Sequence, residues 1–254
     1  MHATPHRRVA VPSAWFWGLA ILCTLAGTAA AQLLSSSPPA ALALSGGVVL
    51  TLCGLQLASR RGMPPLHWLT FTAIAVFGSV AVRGADDVGL PYFVIALGVG
   101  AGLAVWLGVW RATEGSALPG SVDTRRREAC YWGAVLLALT LGSALADWGR
   151  ADGRLGYSAT LLLAALLTAA PMLLRRVTGV APATVLWATL AAARALAAAA
   201  ADWMVNGVGW TPETVGIAAA AAAAVIVFAL RWHDHSPAGR HVHHPAHAAW
   251  ARPS

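Results

Sequence analysis

Eight long apolar runs, cut apart by short clusters of turn-forming residues, constrain this chain more than any other feature. The runs cover roughly 13–32, 41–59, 66–82, 91–110, 129–146, 157–174, 183–201 and 213–230. A helix of about 20 predominantly apolar residues crosses a hydrocarbon core about 30 Å thick, and each run meets that length. The breaks carry turn or breaker chemistry, as in SSSPPA at 35–40, RRGMPP at 60–65, GADDVGLP at 84–91, TGVAP at 178–182 and NGVGWTP at 206–212. The intervals between them are helix lengths, which leaves strands no place. Composition closes the other routes: 58% of residues are hydrophobic and 11% charged, whereas a soluble domain carries about 25% charged residues. Disorder needs the opposite balance. The expectation is an all-α polytopic integral membrane protein. It divides into an N-terminal segment 1–12, a transmembrane domain 13–232 and a tail 233–254. The first run, with Arg7 and Arg8 before it and small residues up to Ala31, also has the outline of a secretory signal peptide. Its length and its place in the repeat below favour a span.

All 17 basic residues are arginines, and most stand at the ends of apolar runs. With the N-terminus cytoplasmic, inside segments hold 13 of them and outside segments only Arg83, Arg150 and Arg154, leaving Arg194 within a helix. That asymmetry predicts both termini on the cytoplasmic face of the inner (plasma) membrane, and it accounts for the net charge of +7 as topology instead of nucleic-acid binding. Cys23, Cys53 and Cys130 show no paired spacing, so neither disulfides nor a thiolate metal site follows.

Tryptophan exposes an internal repeat. Trp17, Trp68, Trp132 and Trp187 each begin an odd-numbered run, 51, 64 and 55 residues apart. Ten residues after each stand Gly27, Gly78, Gly142 and Ala197, all small, and fifteen after stand Gln32, Arg83, Asp147 and Asp202, all polar. Fifteen helical residues climb about 22 Å, from one interface nearly to the other. Small residues between these levels allow close helix approach. The reading is four parallel two-helix repeats, about 13–60, 66–113, 129–176 and 183–232, with the fifteenth positions gathered near one outer vestibule.

Four tandem two-span repeats, each opened by a tryptophan, resemble a bacterial family of uncharacterised membrane-anchored proteins built from a repeat of unknown function. The resemblance covers about 13–232 and rests on RATEGS at 111–116, TRRREACYW at 124–132, GSALADW at 142–148 and ADWM at 201–204. In that family the first repeat carries a lysine three residues after the tryptophan, then a glycine–glutamate pair and an aspartate. Here those positions are Ala20, Gly27–Thr28 and Gln32, and the second repeat has Arg83 in place of the aspartate. The third and fourth repeats match best, through Asp147, Asp202 and Arg194. The resemblance implies eight spans and supplies no activity. It also implies an altered or inactive member if the first-repeat charges carry the family's chemistry.

Few residues remain to carry function. Arg194 lies seven residues past Trp187, near mid-membrane, where a charge costs between about 2.5 and 17 kcal/mol. It is read either as a substrate-binding or gating charge or as a structural contact, with Asp147 or the more distant Asp202 as partner. Asp147 and Asp202 are candidates for binding a cation or relaying a proton, or else they end their helices beside the interfacial Trp148 and Trp203. Asp86 and Asp87 read as a solvated outer turn, and His67 as an ordinary interfacial histidine. The tail offers His233, His235, His241, His243, His244 and His247 as metal-ligand candidates without the spacing of a fixed site. No phosphate loop, nucleophile elbow or HExxH occurs, so no enzyme and no cofactor is expected. The functional expectation is a secondary transporter or exporter of a small cation, possible substrates including a divalent metal. The alternative is a non-transporting membrane scaffold or sensor. The bilayer is the one partner implied outright.

Overall fold

The computed structural model describes residues 13–34, 38–59, 63–151 and 154–235. Among them are eight helices long and apolar enough to cross a membrane. These are α1 (Ala14–Leu33), α2 (Pro38–Ala58), α3 (Pro64–Asp87), α4 (Tyr92–Glu114), α5 (Arg125–Arg150), α6 (Tyr157–Thr178), α7 (Pro182–Asp202) and α8 (Pro212–His235). A 3₁₀ turn at Pro119–Ser121 precedes α5, and a π-helical turn at Trp203–Gly207 follows α7.

Local chemistry sets most of the ends. The Ser13 side chain accepts from the Phe16 amide at 3.2 Å and Thr124 from the Arg127 amide at 3.3 Å, each capping an otherwise open first turn. Proline opens α2, α3, α7 and α8, where its missing N–H costs nothing. Gly115 and Gly179 close α4 and α6 with φ of 76° and 67°, backbone that favours glycine. Several helices outrun their apolar stretches, among them the third and the fifth. The third continues to Asp87, so Asp86 and Asp87 form its last turn and not a loop: Gly84 stays helical, and the left-handed backbone that ends the segment comes only at Gly89, φ 91°. The fifth continues to Arg150, a residue that arginine counting assigns to an outer loop.

The odd helices are inside and the even ones outside. More than half of the apolar window is buried in α1, α3, α5 and α7, and under a quarter in α2, α4, α6 and α8. The inner helices form a closed ring, α1 against α3, α3 against α5, α5 against α7 and α7 against α1. Each even helix leans chiefly on the odd helix that follows it: α2 on α3, α4 on α5, α6 on α7, and α8 back onto α1. The buried residues of α4 show why one partner suffices, since Tyr92, Ala96, Leu103 and Trp110 make a single stripe at helical spacing. The rest of its circumference displays Phe93, Val94, Leu97, Val105 and Val109. So large an apolar exterior fits lipid and not water.

Contacts at both ends set the inner helices parallel. At the N-terminal ends, Phe16 packs on Trp68 with ring centroids 5.6 Å apart, His67 on Trp132 at 5.0 Å and Tyr131 on Trp187 at 5.9 Å. At the C-terminal ends, Gln32 of α1 bonds Asp202 of α7, and Arg150 of α5 reaches Asp202 as well. Midway, the small positions are where the backbones cross. A Cβ placed on Gly27 would lie 2.8 Å from Ala75 Cβ and 2.9 Å from the Thr72 carbonyl oxygen. One on Gly78 would lie 3.0 Å from Thr140 Oγ1, and one on Gly142 would be 2.6 Å from Arg194 Cβ and would collide with the Ala191 carbonyl.

Candidate functional site

Apart from Glu128, 2% exposed in the first turn of α5, the buried charge of the described residues lies in two levels of the inner ring. The deeper level is Arg194, only 1% exposed. Gly142 of α5 faces its Cβ and Cγ, and the absence of a side chain there leaves room for the arginine stem to pass. The guanidinium then crosses the ring. One terminal nitrogen donates to Thr28 Oγ1 of α1 at 2.6 Å, the other to Ser79 Oγ at 2.6 Å and the Ala75 carbonyl of α3 at 3.3 Å, while Nε–H makes no hydrogen bond. One side chain thus touches all three other inner helices. Sequence reasoning offered Asp147 or Asp202 as its partner; among the described residues neither pairs with it within 4 Å, and neutral oxygens hold it instead. Charges act on a buried arginine beyond that range, and both aspartates lie within electrostatic reach of it.

The second level gathers the fifteenth-position residues at the C-terminal ends. Asp147 and Asp202 are 6% and 8% exposed. Arg150 joins them, with Nη2 3.3 Å from Asp147 Oδ1 and Nε 3.6 Å from Asp202 Oδ2. Gln32 Nε2 donates to Asp202 Oδ1 at 2.8 Å, and Arg83 donates to the Ala31 carbonyl, the residue before Gln32, at 3.3 Å. A cavity of about 230 Å³ opens beside Arg83, bordered by Ala31, Val80, Asp86, Asp87 and Tyr92. Immediately after Asp202 the helix widens into its π-helical turn, a distortion that often accompanies function. Arg150 is the residue that sequence reasoning missed. Its signal was present, since it lies three residues past Asp147 and therefore on the same helix face.

The tryptophan end is built differently. His67, read from sequence as an interfacial histidine, is instead 5% exposed and packs among Trp68, Phe71, Tyr131 and Trp132. Its Nε2, the Tyr131 hydroxyl and the indole N–H groups of Trp110 and Trp132 are buried without a hydrogen bond. Of the repeat tryptophans, Trp132 and Trp187 are buried while Trp17 and Trp68 are half-buried, and Trp187 donates to the Ala117 carbonyl at 2.9 Å. The stretches 111–116 and 124–132 meet through Glu114, which pairs with Arg126 at 3.1 Å and Arg127 at 3.0 Å.

Among the described residues no group of three or more histidine, cysteine or acidic side chains is placed to hold a metal ion. Of the tail histidines, His241, His243, His244 and His247 lie outside the described residues, while His233 and His235 fall in the last turn of α8. No protein-family model, no curated protein and no solved structure matches this chain.

Proposed function

We propose that this integral membrane protein is a secondary transporter of a small cation, in which Asp147 and Asp202 form the cation or proton site. One observation carries the reading: two carboxylates at equivalent repeat positions are buried side by side and share a single arginine, Arg150. A cation or proton arriving at either aspartate competes with that guanidinium, so binding and release are tied to a movement of Arg150. The 3.6 Å separation from Asp202 is already beyond hydrogen-bond length, which makes that contact the weaker one to break. A small cavity beside Arg83 borders the same end of the ring, and neither aspartate lines it. In this reading the arginine asymmetry supports an outer position for this level in an inner membrane, with both termini cytoplasmic. The resemblance to uncharacterised membrane-anchored proteins belongs to this reading and adds no substrate.

The test is flux into liposomes loaded with a pH dye and metal-sensitive indicators. Wild type should carry a cation or proton current that falls at least tenfold in Asp147→Asn and Asp202→Asn, with both variants eluting as folded protein. Equal flux in all three across divalent metals and proton gradients would sink the proposal.

A non-transporting scaffold has its own observation in Arg194. Its bonds to neutral groups on α1 and α3 make it a strut, and Thr28, which receives one of its two shortest bonds, stands where the resembled family carries a glutamate. In that reading the variants keep the fold and no flux is found in the wild type.

A further inference from the structure

The aromatic end of the inner ring is regular at three of its four joints. The residue before the tryptophan of one inner helix packs on the tryptophan of the next: Phe16 on Trp68, His67 on Trp132, Tyr131 on Trp187. The fourth joint, from α7 back to α1, has Leu186 at the corresponding position facing Trp17. No ring fills it, and a cavity of about 650 Å³ opens there, within the usual 300–1,000 Å³ of ligand sites.

Its walls are mostly apolar, with two polar features. At the rim stand the exposed Arg175 and Arg176 from the end of α6. Deeper lies Thr189, 1% exposed, whose hydroxyl makes no hydrogen bond. Thr160 shares that condition, whereas most helical threonines, among them Thr24, Thr28, Thr70, Thr72 and Thr168, donate to the carbonyl four residues back. A buried hydroxyl without a partner costs about 1–3 kcal/mol, so an occupant that satisfies it is favoured.

We propose that this cavity holds an acidic phospholipid from the adjacent leaflet, with its phosphate at Arg175 and Arg176, one acyl chain along Leu186 and Trp17, and an ester oxygen within reach of Thr189. Basic pockets between membrane helices take anionic headgroups, each nearby arginine contributing roughly 1 kcal/mol in attraction. The chain's own first residues are a poor occupant, since Arg7 and Arg8 carry the same charge as the rim. The inference does not depend on transport.

Native mass spectrometry of the full chain, given phosphatidylglycerol, phosphatidylcholine or glycerol 3-phosphate, tests it. One phosphatidylglycerol per chain should survive activation that strips phosphatidylcholine, and glycerol 3-phosphate should not bind. Replacing both arginines by glutamine should weaken the preference on the order of tenfold, and Thr189→Val should weaken it a few-fold. Leu186→Phe, which supplies the missing ring, should expel the lipid while the melting temperature holds or rises, which separates filling from unfolding. Equal retention of both lipids, indifference to the arginine variants, headgroup binding alone, or a dimer that Leu186→Phe dissociates without lipid loss would each overturn it.

Discussion

The two ends of the inner helix ring solve the same problem in opposite ways. At the tryptophan end, rings from successive helices interlock, and the polar atoms they carry, His67 Nε2, Tyr131 Oη and the indoles of Trp110 and Trp132, are left without hydrogen bonds. At the aspartate end, charged and amide groups meet across helices, Gln32 with Asp202 and Arg150 with both aspartates. Aromatic rings gain mainly from area and geometry and tolerate an idle donor. A carboxylate in the same surroundings tolerates nothing of the kind, because its charge must be matched. Within the inner ring the charge pairing between helices therefore belongs to the aspartate end, although the tryptophan end also buries one carboxylate, Glu128.

The largest expected effect tests the link between the ends. Arg194→Ala removes the bonds to Thr28, Ser79 and the Ala75 carbonyl and leaves a void at the crossing, so thermal unfolding in detergent should show a loss of about 2–5 kcal/mol. A change below about 0.5 kcal/mol would mean that the arginine is spare to the fold and free for a ligand.

Next comes the crossing itself. Gly142→Ala drives a methyl into the Ala191 carbonyl and the Arg194 stem, and should cost about 1–3 kcal/mol. Gly78→Ala meets the Thr140 hydroxyl and Cα at 3.0 and 3.2 Å and should cost less. Reversal of that order, read by the same unfolding assay, would say that the inner helices cross elsewhere.

A last pair of variants compares the ends directly. Gln32→Leu leaves Asp202 Oδ1 without its 2.8 Å donor and should destabilise by about 1–3 kcal/mol. His67→Phe removes an idle ring nitrogen from an aromatic packing site and should be neutral within about 1 kcal/mol. If the histidine change proves the costlier of the pair, the contrast between the ends is wrong.

Much of this molecule was legible in its sequence. Eight spans, their breaks and the small and polar positions ten and fifteen residues after each tryptophan follow from hydrophobic length and spacing, since a bilayer imposes a period and a length on any chain that crosses it. Helix ends were less legible. Asp86, Asp87 and Arg150 belong to helices whose last turns are polar, and apolar runs cannot mark such turns. His67 looked interfacial because it follows a proline-rich break, yet neighbouring helices cover it.

What the sequence determined by itself is that each odd helix presents an aromatic, a small and a polar level in that order. Only the tertiary structure decided which side chains meet at each level. It gave Arg194 to hydroxyls instead of aspartates, gave both aspartates to Arg150, and set every even helix against its successor. Pairing depends on which helix faces stand across the ring, and that is a property of the closed assembly rather than of any one segment.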